Sequence, residues 1–212
     1  MQGPHQGQPV MHAGAPLDKA RAAMIMIHGR GADARDILSL LPELNCTDVA
    51  CLAPNAAGNT WYPYSFLAPL ERNEPGISSG LQVIDDLLAD LAAQGFPPEK
   101  ILLLGFSQGA CLTLEYVARH ARRYGGVAGL SGGLIGAEGT PRDYPGNLAG
   151  TPVFLGCSDI DFHIPKERVL ETAAIMRDLG GEVTDRLYRG MGHTINADEI
   201  RVVREMIAQI TK

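Results

Sequence analysis

The chain has 212 residues, 45% hydrophobic and 20% charged, with a formal net charge of −6. That length carries one α/β domain with a sizeable core and is short for two. The acidity and the lack of any basic block argue against nucleic acid as a partner.

Residues 1–9 are rich in Gly, Gln and Pro and read as a loose N-terminal arm. The arm lacks the charged-then-apolar order of a signal peptide. Val10–His12 reads as a short edge strand. Ala22–Ile27 is an apolar run suited to a buried parallel strand, and it leads into His28-Gly29-Arg30-Gly31. Asp33 is positioned to cap a helix through about Leu41. Val49–Ala53 reads as the next strand. Residues 56–76 show no periodicity but carry Trp61, Tyr62, Tyr64 and Phe66 among three prolines. An aromatic loop of that length is expected to line a site, to cover the sheet edge, or to do both with different rings.

An amphipathic helix follows over residues 77–94, stopped by Gly95 and Pro97-Pro98. Ile101–Phe106 reads as the central strand and residues 108–120 as the helix behind it. Residues 126–131 form the next strand, and 132–150 read as a connecting loop. Residues 152–156 form another strand. A helix from Pro165 to Leu179 ends at Gly180-Gly181. Val183–Tyr188 is the last strand, and Asn196 caps the last helix. The alternation predicts an α/β fold: a mostly parallel central sheet with helices on both faces. In such sheets the reactive site lies beyond the carboxyl ends of the strands. No repeat or linker marks a second domain, so residues 1–212 read as one.

Between the central strand and its helix stands Gly105-Phe106-Ser107-Gln108-Gly109-Ala110. Strand, Gly-x-Ser-x-Gly, then helix is the setting in which a serine projects from a strained turn as a nucleophile. The glycines relieve crowding where residues two places either side of the serine approach. A serine hydroxyl needs a base and a group that orients the base. Six histidines are present. His5 and His12 lie in the arm, and His120 lies at a solvated helix end. His28, His163 and His193 remain. His193, in Gly190-Met191-Gly192-His193-Thr194 after the last strand, is the expected base. The loop after the preceding strand offers Asp159 and Asp161 as the acid, and spacing does not choose between them. The order serine, acid, histidine is the one α/β-hydrolases use. The backbone N–H groups of Gln108 and Arg30 are placed to bind an oxyanion, with the Arg30 side chain free to face substrate. His28 reads as structural, holding the loop's shape by bonding backbone.

No metal is expected, since no His-Glu-x-x-His or paired Cys/His spacing occurs, and no cofactor motif is present. No apolar run reaches the length of a membrane span. Cys46, Cys51, Cys111 and Cys157 form no Cys-x-x-Cys pair and read as free thiols in a reducing, cytoplasmic setting.

His28-Gly29-Arg30-Gly31, Gly105-Phe106-Ser107-Gln108-Gly109-Ala110, Asp161-x-x-x-Pro165 and Gly192-His193 together resemble the phospholipase/carboxylesterase family of α/β-hydrolases, which includes acyl-protein thioesterases. The resemblance runs from about Ala22 to Ile210. It implies Ser107 as nucleophile, His193 as base and Asp161 as acid, the aspartate four residues before a proline. It places the oxyanion donors on Arg30 and Gln108, and it places Trp61 in the lining of the acyl or alcohol pocket. Tyr62, Phe66 and His163 join Trp61 as expected substrate-binding residues. The stretch Asn59-Thr60-Trp61-Tyr62-Pro63 with Phe66 is closer to the bacterial carboxylesterase branch. Arg30 and Phe162 depart from the thioesterase pattern, which has an aliphatic residue and a proline there. The short loop 132–150 stands where a cap domain is commonly inserted. An uncapped site suits small or aryl carboxylic esters. The expected activity is therefore a serine carboxylesterase on a small-molecule ester, with a thioesterase or lysophospholipase as the alternative. A binding protein on a hydrolase fold is a more distant one. Oligomeric state is left open, a homodimer included.

Overall fold

The computed structural model describes residues 3–212. Its centre is a seven-stranded sheet: β1 (Val10–Gly14), β2 (Ala22–Ile27), β3 (Val49–Pro54), β4 (Ile101–Phe106), β5 (Gly126–Leu130), β6 (Pro152–Ser158) and β7 (Glu182–Tyr188). The spatial order is β1-β3-β2-β4-β5-β6-β7; β1 is antiparallel to β3, and every other pair is parallel. The helices are α1 (Ala34–Leu38), α2 (Leu41–Leu44), α3 (Gly76–Ala93), α4 (Gln108–Arg119), α5 (Lys166–Asp178) and α6 (Ala197–Ile210). This is the mostly parallel sheet with helices on both faces that strand–helix alternation implied, and the α/β-hydrolase order that the resemblance implied.

Strands buried on both faces explain the continuous apolar runs. Alternate residues of β2 serve opposite layers. Ile25 and Ile27 join Trp61, Leu88, Leu112 and Val169 on the face covered by α3, α4 and α5. Met24 and Met26 join Ile37, Leu44, Val203 and Ile207 on the face of α1, α2 and α6. Strand bounds follow the expected ones within two residues.

The helix expected from Asp33 to about Leu41 is two pieces. Asp33 does cap α1, accepting from the N–H groups of Arg35 and Asp36. Pro42 then sits in the first turn of α2. Its ring removes a donor and crowds the carbonyl four residues back, so the chain restarts a helix there instead of continuing one.

The arm expected to be loose is docked from Gly3 to Pro9. His5 is buried, its N–H accepted by Ser79 Oγ at 2.9 Å and its ring bonded to the Trp61 carbonyl and the Ala57 N–H. Gln6 donates to the Ser79 carbonyl. An imidazole that satisfies two backbone groups of another loop overrides a flexible composition. Met1 and Gln2 lie outside the described residues.

Residues 132–150 hold no helix or strand of the sheet's size. Buried side chains fix them instead. Glu115 accepts from the Ile135 N–H at 3.0 Å, and Arg168 donates to the Leu134 and Gly136 carbonyls at 2.7 Å each. The Gly136 N–H donates to the Phe66 carbonyl at 2.7 Å, joining this loop to the aromatic one. No helix among the described residues is long and apolar enough to cross a membrane. The four cysteines are free and buried.

Candidate active site

β2, β4, β6 and β7 all end on the same edge of the sheet, and each delivers one part of the site. Ser107 follows β4 directly, with φ 54° and ψ −120°. This is a left-handed strain that few non-glycine residues carry. A Cβ on Gly105 would lie 2.4 Å from the Gly109 carbonyl oxygen, as the crowding argument requires. A Cβ on Gly109 would instead meet the Ile27 and His28 carbonyls at 2.2 and 2.5 Å. The second glycine thus lets α4 approach β2, the neighbouring strand.

His193 and Ser107, 86 positions apart, meet with Nε2 2.8 Å from Oγ. The other ring nitrogen, Nδ1, lies 2.7 Å from Asp161 Oδ2. The carboxylate can only accept, so Nδ1 carries the proton and Nε2 is left to accept from the serine. Asp161 Oδ1 accepts from the N–H groups of His163 and Ile164 at 2.8 and 3.1 Å. Burial would raise this carboxyl's pKa. The hydrogen bonds from His193, His163 and Ile164 outweigh burial and hold it below the ordinary value.

Asp159, the other acid left open by spacing, points elsewhere. Its Oδ1 accepts from the Gly190 N–H at 2.8 Å, and Ser158 Oγ accepts from the Gly192 N–H at 3.1 Å. These two side chains at the end of β6 tether the loop that carries His193. Arg30 and Gln108 line the same cleft as Ser107, and their backbone N–H groups donate to nothing among the described residues. Gln108 opens α4, where an N–H has no intrahelical partner and the helix dipole favours negative charge.

The cleft over Ser107 has a volume of about 530 Å³ and is lined by Arg30, Tyr62, Phe66, Gln108, His163 and His193, with Cys111 and Ile164. Tyr62, Phe66 and His163 are therefore where substrate-binding residues were expected. Trp61 is not. Its indole is 0% exposed, its N–H donates to the His28 carbonyl at 3.0 Å, and it packs between the His5 and His28 rings with centroids 5.1 Å from each. Burial of that N–H demands a partner, and the partner lies behind the cleft, so the indole turns away from the lining. The aromatic loop thus does both: Trp61 is core alone, while Tyr62 and Phe66 are core side chains that, with Tyr64, also line the cleft.

Two side chains do unanticipated work. Gln108 Oε1 accepts from the Trp61 N–H at 2.9 Å and its Nε2 donates to the Tyr62 carbonyl at 2.8 Å, pinning the aromatic loop to the serine turn. Arg30 donates to the Pro63 and Tyr64 carbonyls at 2.9 and 2.6 Å, clamping the same loop from the mouth. No spacing rule signals either contact, since both partners are backbone atoms of an irregular loop. His28 is structural as expected. Its Nδ1–H donates to the Gly29 carbonyl and its Nε2 accepts from the Ala56 N–H.

On the solvent side of His193 the His163 ring meets it edge-on at 4.9 Å, and Phe162, 80% exposed, lies 4.3 Å beyond His163. Among the described residues no group of three or more His, Cys, Asp or Glu could hold a metal.

A family model described as phospholipase/carboxylesterase matches residues 10–211. A phospholipase/carboxylesterase crystal structure from Dyadobacter fermentans is 44% identical, with a TM-score of 0.91, covering 95% of this chain and 97% of its own. An acyl-protein thioesterase 1 of Debaryomyces hansenii is 26% identical over 227 residues, spanning 96% of this chain and 97% of that protein. A probable carboxylesterase of Oryza sativa subsp. japonica is 29% identical over 206 residues, spanning 88% of this chain and 76% of that protein.

Proposed function

The chain belongs to the phospholipase/carboxylesterase family and is a hydrolase of the carboxylesterase and acyl-protein thioesterase type; from that premise we propose that it is a serine carboxylesterase acting on small or aryl carboxylic esters. The hydrogen-bonded series Ser107–His193–Asp161, at 2.8 and 2.7 Å, carries this reading.

Ser107 Oγ attacks the ester carbonyl while its proton passes to His193 Nε2. Asp161 holds the ring and stabilises its positive charge. The oxyanion is bound by the N–H groups of Arg30 and Gln108, each worth about 3 kcal/mol of transition-state stabilisation. His193 then gives its proton to the departing alcohol. Water, deprotonated by the same ring, hydrolyses the acyl-enzyme and frees Ser107. The alcohol leaves past His163 and Phe162, whose open aromatic surface beside His193 suits an aryl leaving group. An uncapped cleft of about 530 Å³ fits small substrates. The chain acts as a single domain in the cytoplasm, needs no metal or cofactor, and has no nucleic-acid partner.

The test is p-nitrophenyl acetate turnover by the wild type and by Ser107→Ala. Loss of at least about a thousandfold in kcat is expected, and undiminished turnover would sink the reading. Thioester chemistry uses the same machinery, and the relative named acyl-protein thioesterase 1 keeps that alternative in view. A panel of oxygen esters and thioesters of increasing acyl length separates the two: a carboxylesterase favours short acyl oxygen esters.

A further inference from the structure

The leaving side of the cleft is more aromatic than its acid–base chemistry requires. A departing alcohol takes its proton from His193 Nε2, the nitrogen 2.8 Å from Ser107 Oγ, so its substituent begins within hydrogen-bond reach of that ring. Two rings bracket the imidazole there. Phe106 lies 5.2 Å from it by centroids and His163 4.9 Å, and both line the cleft. Phe162 stands outside that lining, with its ring 4.3 Å from His163. It is 80% exposed, and the triad does not use its side chain: Asp161 is held by the His193 ring and by the N–H groups of His163 and Ile164. Of the four large hydrophobic side chains exposed among the described residues, Tyr64, Ile160 and Phe162 belong to the two loops that border the cleft.

Charge and continuity identify the guest. Residues 158–164 carry Asp159 and Asp161 and no lysine or arginine, which disfavours an anionic lipid surface. The His163 and Phe162 rings instead continue the cleft outward from the ring that protonates the alcohol. The guest is the alcohol half, since the acyl carbon stays on Ser107 while the oxygen that His193 protonates departs. A flat guest joined through that oxygen meets His163 with its first ring. A second fused ring reaches Phe162, at the spacing of about 4.5–7 Å that aromatic pairs favour. Short or saturated alcohols leave Phe162 in water.

We propose that Phe162, packed on His163, is an alcohol-side subsite that selects esters of fused-ring aryl alcohols, of which naphthols are the simplest. This rests on the Ser107 carboxylesterase reading. The test is kcat/KM for 2-naphthyl acetate and phenyl acetate, whose alcohols are of similar acidity, in the wild type, Phe162→Ala and Phe162→Trp. Both acetates give the same acyl-enzyme, so a difference between them arises in acylation. The wild type is expected to prefer the naphthyl ester by about fivefold, the worth of one aromatic contact. Phe162→Ala is expected to bring that ratio near one, and Phe162→Trp, which keeps an aromatic face, to preserve it. A Phe162 that only supports its loop would scale both acetates alike, so an unchanged ratio in Phe162→Ala overturns the proposal. A wild-type ratio near one overturns it without any variant. The ratio of p-nitrophenyl butyrate to acetate, which share one alcohol, is expected not to move; a shift in Phe162→Ala would put the residue on the acyl side and overturn the assignment. Weakened binding to anionic vesicles with an unchanged naphthyl-to-phenyl ratio would assign the surface to lipid instead. Failure of the underlying reading looks different: Ser107→Ala would then retain turnover of every ester.

Discussion

Ser107 occupies a backbone conformation that costs about 1–3 kcal/mol, and its neighbours are chosen to hold it there. Because a Cβ on Gly109 would sit 2.2 Å from the Ile27 carbonyl oxygen, Gly109→Ala must push α4 off β2 or fail to fold. Melting curves should show a loss of several kcal/mol, at the high end for a point change (about 4). The acid offers a cleaner test of role. Asp161→Asn leaves the His193 ring without an anionic partner and should lower kcat by about 10⁴-fold. Asp159→Asn only alters the tether to Gly190 and should cost far less. If Asp159→Asn alone abolishes p-nitrophenyl acetate turnover, the assignment of Asp161 is wrong. Asp161 has its pKa lowered in the fold, so it contributes stability above the ordinary carboxylate range and loses it as pH falls through the lowered value. Serine, histidine and glycines were legible because strained-turn chemistry constrains residue types at fixed spacing. The Gln108 side chain was not, because its partners are backbone groups of residues 46 and 47 positions away.

Elements that could be read well were those whose burial leaves a periodic trace. β2 and β4 were bounded correctly because each is apolar on both faces. The aromatic loop left no such trace, and the position of Trp61 depended on which buried acceptor its N–H would find. Helix α6 shows a cap read correctly alongside a burial the sequence did not announce. Asn196 and Glu199 form a reciprocal capping box. Glu199 Oε2 accepts from the Asn196 N–H at 2.8 Å, while its Oε1 is buried against Gly156 without a partner among the described residues. Desolvation pushes this carboxyl up to about 7, against the opposing bond from the Asn196 N–H. The sign is that of a raised acid. The unfolded chain releases this proton first, so stability is fully present below the ordinary glutamate range and falls as pH rises to about 7. A rise of that size corresponds to up to about 3 kcal/mol. Glu199→Gln should therefore gain stability over the wild type progressively from pH 5 to pH 8, as roughly set by those two pKa values. A constant difference in Tm across that range would show that Glu199 is not protonated in the fold. Arg30 makes a second test at this scale. Arg30→Met keeps the backbone N–H but removes the clamp on Pro63 and Tyr64. KM should rise more than kcat falls, because the loop wall loosens while the proposed oxyanion donor stays.

At the scale of the whole molecule, the sheet edge gathers the reacting groups and more distant parts brace the wall around them. The alternation of strands and helices made this architecture readable. The bracing was unreadable, since it consists of single polar side chains reaching across long separations. His5 is the clearest case. Glycine, glutamine and proline suggested a free arm, yet one imidazole satisfies both the Trp61 carbonyl and the Ala57 N–H and lies edge-on to the indole. The Trp61 backbone N–H donates to Gln108 Oε1, on the residue that opens the helix behind Ser107. The N-terminal segment is thus two contacts from Gln108, the residue after Ser107. Burial lowers the His5 pKa, against opposing bonds from backbone, so the ring is held neutral. The unfolded chain takes up the proton first, and this contribution is lost as pH falls below the ordinary histidine range. His5→Ala should lower Tm by several degrees, from about 1–3 kcal/mol of lost bonding at about 2–4 °C per kcal/mol. Trp61 is the sole tryptophan, so its emission reports the same site without a label. The variant should shift that emission to the red and lower kcat/KM for p-nitrophenyl acetate, because an indole no longer held against His5 cannot keep the cleft wall in register with Ser107. Unchanged emission together with an unchanged melt would mean that the arm rests on the loop without supporting it.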